Sequence, residues 1–156
     1  NRKTKSVIIK GRRNYVCRSR VNNLVETQLD ILLEKEKLEL LAVVSWLEST
    51  RTGDINECFG FNRSNFGRLW ELLSSDARYC TWKQCNDSCF YNDLVFETKD
   101  ADILVVNHAM MLHDIESDSQ GILPNRHVFV IDEAHSLISA AKHAYREEFD
   151  EMFFII

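Results

Sequence analysis

Apolar residues along this chain follow two different rhythms. Near the start, "SVIIKG" (6 to 11) is a short β-branched run closed by Gly, which predicts a buried strand. A long helical region is expected next. Leu29, Leu32, Leu33, Leu40, Val43, Val44 and Leu47 recur at helical spacing, with Glu34, Lys35, Glu36 and Lys37 on the wet side. Residues 51 to 67 hold three of the five glycines and read as loop with short turns. "SNFGRLWELL" predicts a short helix with Ser64 or Asn65 as its cap. Further on, "ADILVVNHAMML" (101 to 112) and "RHVFVIDEAHSLISAAKHA" (126 to 144) each give a continuous apolar run followed by a helical pattern. Such runs predict strands buried on both faces, as in a parallel sheet covered by helices, and hence an α/β fold. Pro124, the only proline, stands before the second run, where it ends a loop. No internal repeat or low-complexity linker interrupts the pattern.

Composition changes this picture in three ways. The 156 residues, 45% of them hydrophobic, amount to about one domain with enough apolar mass for a core. The chain opens without Met at "NRKTKSVIIK" and closes in "DEMFFII", so it is expected to be a piece of a longer protein. Neither a signal-type apolar run nor a stretch of about 18 apolar residues is present, which predicts a soluble, intracellular protein with no membrane partner. The net charge of −5 hides an asymmetry: residues 1 to 20 carry eight Lys or Arg and no Asp or Glu, leaving 11 basic against 24 acidic residues elsewhere. Lys10, Arg12, Arg13, Arg18 and Arg20 form a basic arm suited to phosphates; a solvated tail is the plain alternative.

Five cysteines are an odd number, and three of them crowd into "RYCTWKQCNDSCFY" (78 to 91) as Cys80, Cys85 and Cys89. In a reducing compartment clustered thiols point to metal rather than to disulfides. The C-x4-C-x3-C spacing lacks the C-x2-C knuckles usual for structural zinc and favours an iron-sulfur centre. By spacing alone, either Cys17 or Cys58 is available as a fourth ligand. In "VFVIDEAH", Asp132 and Glu133 fall at the carboxyl end of an apolar strand, the edge where open α/β sheets bind ligands. A carboxylate there suits Mg2+ beside nucleotide phosphates, and its neighbour suits the attacking water. An acidic pair is also an ordinary way to open a helix.

"VIDEAH" resembles the Walker B box of superfamily 2 helicases. Taken in order, "KGRRNYVC" (10 to 17), "YCTWKQCNDSCFY", "ADILVVNHAMML" and "VIDEAH" are similar to the iron-sulfur DNA helicases of the DinG and XPD type, the bacterial DinG-like branch most of all. The resemblance runs along nearly the whole chain; residues 21 to 78 match mainly in length and helical character. It implies residues 1–16 and 92–156 as parts of a RecA-like motor domain, with 17–91 as an inserted, mostly helical cluster domain. It implies Cys17, Cys80, Cys85 and Cys89 as ligands of a 4Fe-4S cluster, leaving Cys58 as an extra buried thiol.

The same resemblance implies that Asp132 holds Mg2+, that Glu133 acts on water, and that His135 links the nucleotide site to the DNA surface. Lys10, Arg12, Arg13 and Arg18 would contact the backbone of single-stranded or forked DNA. Tyr15, Trp82 or Tyr91 would stack on a base, Trp82 and Tyr91 serving more simply to shield the cluster. Asn107 and His108 end the other strand, where His108 would touch DNA or cap the next helix. ATP-driven translocation and unwinding are expected of the longer parent, in a bacterial cytoplasm near the nucleoid, because this stretch carries no G-x-x-x-x-G-K-[ST] loop. Two other classes compete: an iron-sulfur redox carrier, which has no use for the carboxylate pair, and a zinc-stapled interaction domain. Tying Cys17 to Cys80 closes a loop at an entropic cost of about 4 kcal/mol, so residues 17 to 89 are expected to order poorly without metal.

Overall fold

The structure, a computed structural model, describes residues 3–80, 85, 89–117 and 121–144. Strand β1 (Ser6–Ile9) pairs in parallel with β2 (Ile103–Val106), in the register Ser6 to Ile103 through Ile9 to Val106. Parallel neighbours need a long crossover. Here it is the helical body of the chain: α1 (Arg18–Thr27), α2 (Glu34–Leu47), α3 (Gly67–Leu73) and α4 (Phe90–Thr98). After β2 come α5 (His108–Glu116), a 3-10 turn at Ala134–Ser136 and α6 (Leu137–Ala144). The architecture is α/β, as the two textures predict.

The helical region divides where its stripe falters. Helix α1 ends at Gln28, a 3-10 turn spans Leu29–Ile31, and α2 starts after Leu33. Leu32, Leu40, Val43 and Leu47 are buried and Val44 is half-buried, whereas Leu29 and Leu33 are exposed because they sit in the break. The Leu33 amide donates to Glu36 Oε2 (2.9 Å), which satisfies a free donor at the helix start. Arg68 Nη1 reaches both oxygens of the same carboxylate, at 2.7 and 2.6 Å, and ties α3 to α2. The Arg68 guanidinium, with the Leu33 amide, holds the Glu36 carboxyl below the usual carboxylate range. Phe66, not Ser64 or Asn65, occupies the cap position of α3, because Asn62 organises the preceding turn by accepting from the Asn65 amide.

Two apolar cores result among the described residues. The larger joins Val16, Val21, Leu24, Leu40, Val43, Leu47, Phe61, Leu69, Trp70 and Leu73, and it includes Cys58. The smaller joins Ile9 of β1 to Tyr15, Cys17, Cys85, Cys89 and Tyr91, with Val106 of β2 packed against it. β1 buries one face through Val7 and Ile9, and β2 half-buries one through Leu104 and Val106, while Ile8, Ile103 and Val105 are exposed. The expected strand at 127 to 131 is absent among the described residues, and Val128, Phe129 and Val130 stand 80%, 62% and 92% exposed. A strand exists through its ladder, and this segment meets no ladder partner there.

Gly53 carries the one positive glycine φ among the described residues, 67°. A Cβ on it would stand 2.5 Å from the Phe90 ring, while its carbonyl accepts from the Val16 amide at 2.9 Å. Gly53→Ala is therefore expected to destabilise the fold by about 3 kcal/mol through left-handed strain and overpacking. Gly67→Ala meets nothing within 4 Å on the first turn of α3 and is expected to stabilise by about 0.5 kcal/mol. Urea denaturation of both variants checks the contrast; equal effects would contradict it.

Candidate metal centre and carboxylate box

The metal centre begins with backbone pairing. Val16 bridges Ser74 in antiparallel fashion: the Cys17 amide donates to Leu73 O (2.9 Å) and the Ser75 amide to Tyr15 O (2.7 Å). Cys17, which precedes α1, is thereby set against the segment leading to Cys80. A tight turn completes the approach: the Tyr79 and Cys80 amides donate to Asp76 O, at 3.1 and 2.7 Å. Sulfur atoms of Cys17, Cys80 and Cys85 lie within 4.8 Å of one another, and Cys17 Sγ to Cys85 Sγ is 3.9 Å. Cys89, at the start of α4, is buried in the same small core. Cys58 is elsewhere, in the larger core, with its thiol 4.0 Å from Ala42 O.

The environment separates the thiols. Burial raises the Cys17 pKa, and the Cys80 and Cys85 sulfurs add to the rise against the Arg20 amide. Burial also raises Cys85, with the Cys80 charge adding. Cys80 is lowered: burial opposes its ionisation, but the Asp76 amide, the Ser75 hydroxyl and the neighbouring thiols overcome that. The Asp76 N–H donates to Cys80 Sγ at 3.3 Å. Soft sulfur donors in an apolar shell of Ile9, Tyr15, Tyr91, Leu94 and Val95 fit a thiophilic metal or an iron-sulfur group.

Guanidinium groups stack on the aromatic residues that flank Cys80 and Cys89 in the chain. Arg12 lies over Tyr91 and Arg18 over Phe90, each 4.5 Å from the ring centroid, and Arg20 lies over Tyr79 at 5.1 Å. Arg20 also donates to Ser74 O and Glu71 O. Arg13 and Arg78 share the Asp76 carboxylate, at 3.1 and 2.8 Å, and both remain largely exposed. A cavity of ≈ 460 Å³ opens between the turns 11–14 and 76–78 and is lined by all three residues Arg12, Arg13 and Arg78. Lys10 is paired with Asp54, and its amide donates to the Tyr15 hydroxyl at 2.9 Å. Tyr15 is 2% exposed, so it offers no face to a base; burial pushes its phenol up to about 12. Tyr91, 4% exposed, shields the sulfurs. Trp82 lies outside the described residues.

On the other side, Asp132 Oδ1 accepts from the Glu133 amide (2.9 Å), and Glu133 adopts φ 48°, the one non-glycine residue with positive φ among the described residues. Non-glycine residues in that region store strain and concentrate at functional sites. His135 lies in the 3-10 turn after Glu133, with Nδ1 3.3 Å from Glu133 Oε2. Asn107, rather than His108, caps α5 by accepting from the Met110 amide (2.8 Å). His108 instead joins α5 to the box, with Nε2 3.1 Å from Asp132 O and Nδ1 3.0 Å from Ser136 Oγ. Asp132 and His108 line an open cavity of ≈ 1540 Å³ beside β2. Ser75, Asp76 and Arg78 escape sequence reasoning, although Arg78 sits two residues before Cys80 in the cysteine stretch.

No protein-family model matches the chain. Relatives do. Over 147 residues, 90% of the chain, it is 31% identical to the ATP-dependent DNA helicase YoaA of Haemophilus influenzae. Over 153 residues, 87% of the chain, it is 31% identical to the ATP-dependent helicase DinG of Mycobacterium tuberculosis. The chain is homologous to DinG-type helicases. It spans 22% of the length of each of these two relatives. A third relative, 29% identical over 141 residues, 87% of the chain, is the 3'-5' exonuclease DinG of Bacillus subtilis, of which the match covers 14%. No helix among the described residues is long and apolar enough to cross a membrane.

Asp76 supplies the pH test of this site. Its carboxyl is held well below the usual range by hydrogen bonds from the Arg78 side chain and amide. Its contribution to stability is therefore complete above the unfolded-state value of about 3.9 and is lost as pH falls through the lower folded-state value. Urea midpoints are expected to drop from pH 5 to pH 3 more steeply in the wild type than in Asp76→Asn. Parallel pH dependences would contradict the assignment.

Proposed function

We propose that this chain is part of an ATP-dependent DNA helicase in which residues 17–91 form a cluster domain inserted into a RecA-like motor domain made by residues 1–16 and 92–156. The observation that carries the reading is the convergence of Cys17 with Cys80 and Cys85 in a chain homologous to DinG and YoaA along nearly its whole length. Cys17, Cys80, Cys85 and Cys89 are the ligands proposed for a 4Fe-4S cluster. When bound, the cluster supplies a rigid cross-link and a one-electron redox couple. Lying between two adjacent parallel strands, the helical body would act on DNA without interrupting the sheet.

The chain's own groups then divide the work. Arg12, Arg13 and Arg18 are proposed to bind the phosphates of single-stranded DNA, with Lys10 supporting the arm through Asp54. Asp76 keeps Arg13 in place until a phosphate competes for it. Asp132 is proposed to hold Mg2+ in the presence of ATP, and Glu133 to orient or deprotonate the attacking water. His135, beside Glu133, and His108, which is bonded to the Asp132 carbonyl, would pass changes at the box to α5 and the DNA side. The remainder of the parent would supply the phosphate loop and a second motor domain.

One observation favours a second reading of the cysteines. The 3.9 Å between Cys17 Sγ and Cys85 Sγ is near the separation of about 3.8 Å between two thiolates on one tetrahedral zinc. The zinc staple thus competes for the metal while leaving the carboxylate box untouched.

The helicase reading is tested in the full-length protein with Glu133→Gln. DNA-stimulated ATP hydrolysis is expected to fall about 100-fold or more, the scale of a lost general base, with single-stranded DNA binding retained. A loss smaller than threefold would sink the proposal for Glu133 and with it the motor assignment.

A further inference from the structure

Ser75 is out of place for a buried side chain. It is 1% exposed, and its Oγ has no partner at full hydrogen-bonding geometry among the described residues, only the Cys80 sulfur close by. Buried hydroxyls are nearly always paired, because an unpaired one gives up water for nothing. Ser75 cannot relax toward solvent either. Its amide is fixed on Tyr15 O at 2.7 Å, and its neighbour Ser74 is bridged to Val16. Alanine would fill the same space without the penalty.

The surroundings say what the hydroxyl is for. Residues 74 to 80 wrap one sulfur: the Asp76 amide donates to Cys80 Sγ at 3.3 Å, and the Cys80 amide closes the turn on Asp76 O at 2.7 Å. The Asp76 carboxylate is engaged by Arg13 and Arg78, so it locks the turn without itself approaching the sulfur as an acceptor. The Ser75 hydroxyl stands one residue before that donor in the chain. A neutral thiol is a poor acceptor, whereas a metal-bound thiolate is a strong one. The partner missing from the Ser75 hydroxyl is therefore of the kind that ligation creates.

We propose that Ser75 Oγ–H donates to the Cys80 thiolate of the metal-loaded protein and, together with the Asp76 amide, raises the reduction potential of the iron-sulfur centre held there. This rests on the iron-sulfur reading of the four cysteines. Ser75 is a positioning residue: it touches the ligand, not the iron. Reduction adds one electron to the centre, and the negative charge it brings is spread over the sulfurs. Donors aimed at a ligating sulfur stabilise the reduced form more than the oxidised form, which raises the potential.

The experiment is a potentiometric titration of the full-length protein, purified without oxygen, with dithionite as the one-electron donor and iron and sulfide measured first. Ser75→Ala is expected to shift the reduction equilibrium at least threefold toward the oxidised form, about 28 mV downward for a one-electron couple. A smaller shift, or one of opposite sign, at unchanged iron and sulfide overturns the role of Ser75 and leaves the cluster reading intact. Wild-type protein without iron and sulfide overturns both. Should Ser75→Ala not retain the cluster, the reduced wild type in D2O decides by electron–nuclear double resonance. A coupled, exchangeable deuteron beyond that of the Asp76 amide supports the role, and its absence overturns it.

Discussion

The short antiparallel pairing of Tyr15–Cys17 with Leu73–Ser75 is the constraint on which the rest of this structure depends. Two hydrogen bonds, Cys17 N–H to Leu73 O and Ser75 N–H to Tyr15 O, bring together positions separated by the whole of α1, α2 and α3. Closing a loop of that size costs on the order of 4 kcal/mol of chain entropy. The larger core offsets it, since Val16, Leu24, Leu40, Val43, Leu69 and Leu73 are buried together inside the loop so closed. On the far side of the pairing lies the smaller core, where the sulfurs gather against β1. One pairing thus seals the helical body, delivers Cys17 to Cys80 and Cys85, and buries Ser75.

Charge is organised around the same seam. The basic arm is not a loose tail: Arg12, Arg18 and Arg20 lie over Tyr91, Phe90 and Tyr79, and Arg13 meets Arg78 on Asp76. Aromatic stacking keeps a guanidinium charged and outward-facing while its stem covers apolar surface. Arg12 is consequently placed by Tyr91, a side chain packed with the sulfurs in the smaller core. A phosphate in the cavity between the two turns would meet three guanidinium groups and one carboxylate already committed to two of them. Asp76 serves both groups, its carboxylate holding Arg13 and Arg78 and its carbonyl closing the Cys80 turn.

Much of this was legible from the sequence, and the exceptions have physical causes. β1, β2, α2, α5 and the loop at 51–67 follow from periodicity and glycine content, which are local signals. The expected strand at 127 to 131 failed because a strand needs a ladder partner, and that is a non-local property. Spacing could not choose between Cys17 and Cys58; the pairing with Leu73–Ser75 places Cys17 with the other thiols and leaves Cys58 in the larger core. The resemblance implies Tyr15 as a stacking residue, yet its hydroxyl is needed by the Lys10 amide inside the fold. Ser75, Asp76 and Arg78 were invisible, since nothing in "SSDARYC" announces a turn folded around a sulfur.

What the four thiols hold decides the nature of this site. The deciding measurement is iron, acid-labile sulfide and zinc per chain, with the visible absorption spectrum, on protein purified without oxygen. About four irons and four sulfides are expected, with the broad charge-transfer absorption of a thiolate-ligated cluster. One zinc per chain and no sulfide would contradict the iron-sulfur reading and make the cysteines a structural staple.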